Sequence, residues 1–241
     1  RLLYENSMWN DAEKELRMAA DRGEGESFFL LAQICKGRHD MRGYKGNLES
    51  GASLHDPSSL YELGRLYERG AVFAKQNDAK AASYYAKAAT GASLYKMALL
   101  YFDGRAAAPS VKTMATALSA IRQSASMGNA DAMEYLGELY LYGNGYMAAD
   151  YDSALLFHLQ LADSGRAEAF YKLGITYERG LGVAADIEQA FNYYQQAAEM
   201  GHDLALCSVG DFYRNGRNIR PNGAKAMACY EKAAAGSRHP E

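Results

Sequence analysis

Apolar residues recur along the chain at the spacing of a helix that buries one side. In the block at residues 136–140, the apolar side chains Leu136, Leu139 and Tyr140 stand at positions i, i+3 and i+4, with Gly137 between them. This spacing is the helical period. Similar blocks, with Gly or Ala at the small position, occupy residues 31–35, 63–67, 97–101, 173–177 and 209–213. Because the small residue fills little space, each block predicts a helix against which a second helix packs closely.

A second pattern follows these blocks and predicts the partner helix. Matching stretches rich in Ala and Tyr occupy residues 79–88, 189–197 and 225–233. Asp150, Asp186 and Asn222 lie where a polar side chain would cap the start of such a helix. A glycine closes each copy, and these glycines recur every 35 to 37 residues, at Gly91, Gly128, Gly165, Gly201 and Gly236. Each copy is therefore predicted to be helix, short loop, helix and turn.

These patterns make residues 1–241 a single array of repeats. We place complete copies at residues 52–91, 92–128, 129–165, 166–201 and 202–236. Residues 24–51 form a short, degenerate copy that is rich in glycine, so we expect its second helix to be truncated. Residues 1–23 match the second half of a repeat, which predicts that the array continues before Arg1, and residues 237–241 form a tail. One helix pair cannot bury its own apolar side, whereas stacked pairs can, so the pattern predicts an all-α solenoid.

Composition and charge weigh against several classes of function. The 241 residues are 49% hydrophobic and 23% charged, with a formal net charge of −3, as in an ordinary folded protein. So small a charge gives no broad attraction to nucleic acid, and we expect no such partner. No stretch approaches the roughly 18 apolar residues of a spanning helix, so we expect no membrane insertion. The three cysteines, Cys35, Cys207 and Cys229, are expected to be free thiols, with a bridge between Cys207 and Cys229 as the alternative.

The combined pattern resembles the Sel1-like repeat family of the tetratricopeptide-repeat-like superfamily. The copy that ends at Gly201 matches the family pattern at Leu173, Gly174, Tyr177, Gly180, Gly182, Val183, Asp186, Ala190, Tyr193, Tyr194, Ala197 and Ala198. The resemblance covers residues 52–236 closely and 10–51 loosely, and one copy departs from it with Ala98 in place of glycine. It implies an all-α, right-handed superhelical solenoid of about six helix-turn-helix pairs, with a non-enzymatic role.

In arrays of this kind the first helix of each repeat lines a concave groove. The resemblance carries three columns of groove positions onto this chain, which fall three residues before, one after and four after the small residue. The partner-binding residues that it implies are Phe29, Tyr61, Arg65, Glu68, Tyr95, Leu99, Glu134, Glu138, Tyr171, Ile175, Glu178, Asp211 and Arg214. Aromatic residues beside arginine are typical of protein interfaces. The alternative is that the tyrosine rings merely pack between neighbouring repeats.

Other motifs have simpler explanations. Residues 143–148 and 180–185 both follow the pattern G-x-G-x-x-A, but a dinucleotide site requires a preceding strand, and here a helix precedes. The basic run at residues 36–45 is interpreted as a solvated, glycine-broken loop, with a patch for an acidic partner as the alternative. We expect His158 to pack in the interior and His202 to be exposed. No metal-binding, nucleophile–base or phosphate-binding spacing occurs among the five histidines, His39, His55, His158, His202 and His239, or elsewhere, so we expect no catalytic residue, metal or cofactor.

We therefore predict a non-enzymatic scaffold or adaptor that holds a protein or peptide in its groove. Two alternatives stay open, namely the docking arm of a larger enzyme or complex and a polysaccharide-binding scaffold. The chain has no Asn-x-Ser/Thr sequon, which favours a bacterial source. Proteins that resemble it in bacteria serve envelope assembly, host interaction or toxin neutralisation, so we expect a periplasmic or otherwise exported protein, with the cytoplasm as the alternative.

Overall fold

The structure is a computed structural model that describes residues 2–71 and 74–236, with side chains described from residue 11 onward. The expected tail at residues 237–241, with His239, lies outside the described residues. Within them the chain forms thirteen α helices and no β strand beyond isolated bridges, so the predicted all-α class is confirmed. The helices are α1 (Leu2–Asp21), α2 (Gly25–Gly37), α3 (Met41–Ser53), α4 (Pro57–Arg69), α5 (Asp78–Ala88), α6 (Gly91–Phe102), α7 (Val111–Ser126), α8 (Ala130–Tyr142), α9 (Tyr151–Asp163), α10 (Ala167–Arg179), α11 (Ile187–Glu199), α12 (Asp203–Asn215) and α13 (Gly223–Gly236).

The helices are grouped into two compact units, Arg1–Asn129 and Ala130–Glu241. Within the first unit, α2 packs with α3, α4 with α5 and α6 with α7; within the second, α8 packs with α9, α10 with α11 and α12 with α13. We call the leading member of each pair the first helix and the other the second helix. Each second helix also packs against the first helix of the next pair in its unit. This stacking of consecutive pairs is that of a helical-repeat solenoid.

Polar side chains begin several helices at the positions that the sequence predicted. Asp150, Asp186 and Asn222 each accept a hydrogen bond from the backbone N–H three residues later, at 2.9 to 3.1 Å. Each bond satisfies one of the N–H groups that a helix start leaves without a partner. At a repeat end, Gly165 adopts a φ of 79°, a left-handed conformation that glycine reaches without steric cost.

The small residue of a first helix lies under an aromatic ring of its second helix. A Cβ atom on Gly174 would lie 2.4 Å from Cε1 of Tyr194, and one on Gly64 would lie 2.5 Å from Cε1 of Tyr85. Both rings are fully buried. Since no side chain larger than hydrogen fits without moving the ring, the close helix contact predicted from the small column is confirmed.

Both helices of the short repeat predicted at residues 24–51 are complete, and the second, α3, runs to Ser53. The expectation of a truncated second helix is wrong, because α3 has the same length as α2. The repeat is short because residues 38–40 alone join α2 to α3, whereas residues 180–186 join α10 to α11. The shortening is therefore in the connection, and the helix pair is preserved.

The basic run at residues 36–45 is largely helical, which corrects its interpretation as a loop. It spans the end of α2 and the start of α3. Asp40 begins α3 by accepting a hydrogen bond of 2.9 Å from the backbone N–H of Gly43. Gly43 therefore lies inside the first turn of a capped helix, which tolerates it.

Candidate protein-binding surface

The groove residues implied by the resemblance all lie on first helices. In the first unit they are Phe29 on α2, Tyr61, Arg65 and Glu68 on α4, and Tyr95 and Leu99 on α6. In the second unit they are Glu134 and Glu138 on α8, Tyr171, Ile175 and Glu178 on α10, and Asp211 and Arg214 on α12. We call these two sets the first-helix faces of the two units.

Two tyrosines of these faces are half-buried against aromatic rings of the second helices. The ring centroids of Tyr61 and Tyr85 are 5.5 Å apart, and those of Tyr171 and Tyr194 are 5.7 Å apart. Tyr171 also stacks on the ring of His202 at 4.6 Å. Ring contacts of this kind fix the orientation of each side chain. Packing is thus part of their role, and a portion of each ring stays on the first-helix face.

Three acids of the first-helix faces are each bound by a tyrosine hydroxyl from a second helix. Burial raises the pKa of Tyr85 and of Tyr194 above the usual value, and the hydrogen bond to a carboxylate raises it further. Both phenols therefore stay neutral and donate, which holds their carboxylate partners in place. The pairs are Tyr85 with Glu68 at 2.6 Å, Tyr194 with Glu178 at 2.7 Å and Tyr230 with Asp211 at 2.7 Å.

Two of these acids also meet an arginine from the loop of the next repeat. Arg217 contacts Oε1 of Glu178, and a guanidinium nitrogen of Arg105 lies 3.7 Å from Oε1 of Glu68. Arg105 pairs more closely with Asp78, at 3.0 Å. Neither arginine was predicted from the sequence as a surface residue. The available signal was positional, because both stand seven residues after the small residue of their repeat.

Lys172 is a buried cation that joins acids of two helices in the second unit. Its Nζ lies 2.6 Å from Oε1 of Glu138 and 3.1 Å from Oε1 of Glu168. The same nitrogen is 5.5 Å from the ring centroid of Tyr142 and 6.0 Å from that of Tyr171. Burial alone would lower the pKa of Lys172, but the hydrogen bonds to the two carboxylates outweigh burial and raise it. The ammonium therefore stays charged.

A second cation, Arg166, binds two further acids of α8. Its guanidinium donates at 2.6 Å to Oε2 of Glu134 and at 2.8 Å to Oδ1 of Asp131. The predicted surface residues Glu134 and Glu138 are thus both held by cations within the unit. Neither cation was predicted from the sequence, because the acids of α8 that they bind lie more than thirty residues away along the chain.

Glu62 is the corresponding buried charge of the first unit. It accepts hydrogen bonds from the Tyr44 hydroxyl at 2.6 Å and from Arg65 at 2.8 Å, and Lys36 lies 3.4 Å away. Burial alone would raise the pKa of Glu62, but the Tyr44 hydroxyl and the two cations together lower it. Glu62 and Lys172 both stand two residues before the small glycine of their repeat. A charged residue at that position was the signal that could have identified them.

Some of the predicted surface residues offer a partner little surface. Ile175 is 8% exposed and belongs to the core of the second unit, and Phe29 packs against the core of the first.

Asp211 and Arg214 form a surface ion pair of 2.8 Å. Pairs of this kind contribute about 0–1 kcal/mol, so both residues stay accessible to a partner at little cost.

His202 is largely buried, which corrects the expectation that it is exposed. Its Nδ1 accepts a hydrogen bond of 3.1 Å from the backbone N–H of Ala205 at the start of α12, and its Nε2 lies 2.5 Å from Oε2 of Glu168. Because Nδ1 accepts, the proton is on Nε2, which donates to Glu168. This hydrogen bond is the largest cause that lowers the pKa of Glu168 to about 2, and Lys172 adds to it against the effect of burial.

The glycine motifs, His158 and the cysteines all lie in the described part of the chain. No group of three or more His, Cys, Asp or Glu side chains among these residues is placed to hold a metal ion. Residues 143–148 and 180–185 each lie between a first and a second helix, as interpreted. His158 is buried, as expected. The cysteines are free thiols, which agrees with the prediction for Cys35, Cys207 and Cys229.

A comparison with protein families matched the Sel1 repeat at residues 57–93, 91–116, 130–165, 167–202 and 203–237. These segments cover more than half of the chain. The chain belongs to the Sel1 repeat family. The matched segments of this Sel1 repeat chain begin at α4, although α2 and α3 pack as a pair like the later helices. No curated protein matched the sequence.

A comparison with solved structures found several that are similar to this chain. The crystal structure of a Sel1 repeat protein from Oxalobacter formigenes is 23% identical, covers 86% of this chain and 84% of its own, and has a TM-score of 0.76. The protective antigen c5321 of uropathogenic Escherichia coli, with an SLR fold, is 20% identical over 94% of this chain and 66% of its own, with a TM-score of 0.38. Immunity protein Pa5087 from Pseudomonas aeruginosa is 19% identical over 88% and 82%, with a TM-score of 0.47. At 23% identity, the likeness to the Oxalobacter formigenes structure is one of fold alone.

The family gives a general function. Sel1 repeat proteins are generally protein-interaction scaffolds, and the fold is typically non-catalytic. None of the described helices combines the length and the apolar character that crossing a bilayer requires. The two first-helix faces are therefore the candidate binding surfaces of this Sel1 repeat chain.

Proposed function

We propose that this chain is a non-enzymatic scaffold that binds a protein or peptide on its first-helix faces. The observation that carries the proposal is the placement of Tyr61 and Tyr171 at corresponding positions of two repeats. Each is half-buried, and each is oriented by a buried ring, Tyr85 or Tyr194. Large aromatic side chains that are already held in place lose little conformational entropy on binding, which makes them effective anchors.

Fixed charges beside these rings support the same proposal. The carboxylates of Glu68 and Glu178 are held by tyrosine hydroxyls, and the guanidinium of Arg65 is held by Glu62. Charges at fixed positions select among partners more than they add affinity. The framework that holds them recurs, whereas the residues at the face differ from repeat to repeat, so the face can be specific for one partner.

Affinity capture from native extract tests the proposal. Three baits are compared, namely the wild type, the variant Tyr61→Ala/Tyr95→Ala/Tyr171→Ala and the control Tyr146→Ala/Tyr151→Ala, which removes exposed tyrosines away from the first-helix faces. We expect a protein that the wild type and the control retain and the triple variant loses. Thermal melts of all three baits must show folded protein at the capture temperature, because Tyr61 and Tyr171 also pack internally. Equal capture by the triple variant contradicts the proposal.

Polysaccharide binding is the second candidate. It is favoured by the same half-exposed tyrosines, since an aromatic ring presents an apolar face to a sugar ring. The three baits can be passed over immobilised polysaccharides. Retention of the wild type but not the triple variant, without a captured protein, would favour this candidate over a protein partner.

We also propose a bacterial source and export to the periplasm, with a role in envelope assembly, host interaction or toxin neutralisation. The absence of any Asn-x-Ser/Thr sequon supports a bacterial source over a eukaryotic secreted glycoprotein. Fractionation of the producing cells, followed by detection with an antibody to the chain, tests the export. A chain found only in the cytoplasmic fraction contradicts it.

A further inference from the structure

His158 stands where other helix pairs have a tyrosine. A Cβ atom on Gly137 would lie 2.7 Å from Nε2 of His158, so this ring covers the small residue of α8 as the tyrosine rings cover theirs. The residue four positions after Gly137 is Leu141, which is buried, whereas the α4–α5 and α10–α11 pairs have a glutamate there. The α8–α9 pair therefore keeps the ring contact but lacks the acid that binds the polar end of the ring.

The imidazole of His158 is enclosed and unpaired. The residue is 1% exposed, and neither Nδ1 nor Nε2 has a hydrogen-bond partner among the described residues. A neutral imidazole has one N–H donor, but an imidazolium has two and carries a charge that burial penalises. Protonation of His158 therefore destabilises the packed α8–α9 pair.

The charges around His158 do not offset this cost. Burial is the main cause that lowers the pKa of His158 to about 4; the positive charge of Lys172 lowers it further, and Glu168 opposes. Both residues belong to α10, and both are already paired. The acid next to Gly137 on α8, Glu138, is bound to Lys172. The acids of α9 itself are exposed, namely Asp152 and Asp163.

We propose that the α8–α9 pair is a pH-sensitive element of the second unit, which opens when His158 is protonated. The imidazole of His158 is a base whose pKa is lower in the packed state than in the open state. Its contribution to the stability of the packed state is therefore fully present at pH values above its ordinary pKa. That stability is lost as the pH falls from about 6.5 toward 4. In the open state the imidazolium reaches water, which removes the penalty.

Opening would also affect the first-helix face. The helix α8 carries Glu134 and Glu138, which Arg166 and Lys172 hold in place. Their positions depend on the packing of α8, so acidification would disorder this part of the face. That consequence for binding rests on the proposed function, whereas the pH response of α8–α9 does not depend on any partner.

Amide hydrogen exchange tests the proposal in the wild type and in His158→Phe. Each protein is measured near pH 7.5 and near pH 5, and the rates are corrected for intrinsic exchange. Phenylalanine keeps a ring over Gly137 but cannot be protonated. With pKa values of about 6.5 open and about 4 packed, the opening constant of residues 130–163 should rise roughly 30-fold more in the wild type than in the variant. Helices α12 and α13 serve as an internal reference. An equal pH response in both proteins overturns the proposal.

Two further measurements guard against a variant that fails to fold. The double variant His158→Tyr/Leu141→Glu rebuilds the tyrosine–glutamate pair of the other repeats and should also lose the extra pH response. An NMR titration of the wild type measures the imidazole directly. The proposal is supported if the signal shows that the imidazole of His158 stays neutral until the α8–α9 pair opens. Ordinary titration near pH 6.5 in the fully packed protein overturns it.

Discussion

The ring of Tyr194 covers Gly174, and its hydroxyl donates a hydrogen bond of 2.7 Å to Glu178, four residues further along the same helix. One side chain of α11 therefore engages two positions of α10, since the glycine admits the ring and the acid satisfies the hydroxyl. The α4–α5 pair contains the same two contacts. This element fastens a first helix to its second helix, and it also fixes a carboxylate on the first-helix face.

Gly174→Ala is expected to lower the free energy of unfolding by about 1–3 kcal/mol through overpacking. The new Cβ would lie 2.4 Å from Cε1 of Tyr194, a buried ring that its bond to Glu178 holds in place. Denaturant unfolding measures the change. The control is Gly46→Ala, at an exposed position of α3 where the new Cβ meets nothing within 4 Å. That substitution should stabilise by about 0.5–1 kcal/mol, and equal losses at both sites would contradict the prediction.

Tyr194→Phe is expected to cost about 1–2 kcal/mol, because it removes the hydroxyl donor from a partly buried carboxylate. Glu178 would keep its contact with Arg217 but lose its inward hydrogen bond. The control is Tyr193→Phe, since the described contacts of that tyrosine are ring contacts such as the stack on Tyr177 at 5.4 Å. Thermal melts compare the variants. Equal melting temperatures for the two variants would show that the hydroxyl of Tyr194 contributes nothing.

The buried phenols predict a loss of stability at high pH. Burial and the carboxylate partners raise the pKa of Tyr85 and of Tyr194 above the usual value of about 10. Because the folded value exceeds the unfolded one, the stability from the neutral phenols is fully present below about pH 10 and is lost as the pH rises above it. Ultraviolet absorbance should show a late class of tyrosines that ionise together with the loss of helical circular dichroism. The variant Tyr85→Phe/Tyr194→Phe should shrink that class, whereas Tyr146→Phe should not.

Lys172→Met is expected to lower the free energy of unfolding by about 1–3 kcal/mol, because it leaves Glu138 and Glu168 without their shared cation. The loss should be smaller when Glu138→Gln is added, since one stranded charge is then removed. Chemical denaturation at neutral pH measures both. The control is Arg179→Met, at an exposed position of the same helix, which should change stability by less than about 0.5 kcal/mol. A similar change in the two single variants would be evidence against the role of Lys172.

The repeat pattern predicted the helix pairs well because their determinants are local. The cap at Asp186 acts on a backbone N–H three residues away, and the ring that covers Gly174 comes from the neighbouring helix of the same repeat. The prediction was wrong at α3, where the high glycine content suggested a truncated helix. Only the connection between α2 and α3, at residues 38–40, is short. A connection can change length at small entropic cost, whereas a shortened helix would leave its partner uncovered.

The amino-acid order alone sets where helices begin and which side of each is apolar, since caps and helical period act over a few residues. Only the tertiary structure determines which charged side chains form ion pairs. Stacked repeats bring together side chains such as Arg166 and Glu134, which are 32 positions apart. Packing likewise brings the ring of a second helix over the small residue of its first helix. Whether that ring finds an acceptor then follows from the residue four positions after the small one. Tyr194 meets Glu178, whereas Leu141 stands at the corresponding position near His158, which has no hydrogen-bond partner among the described residues.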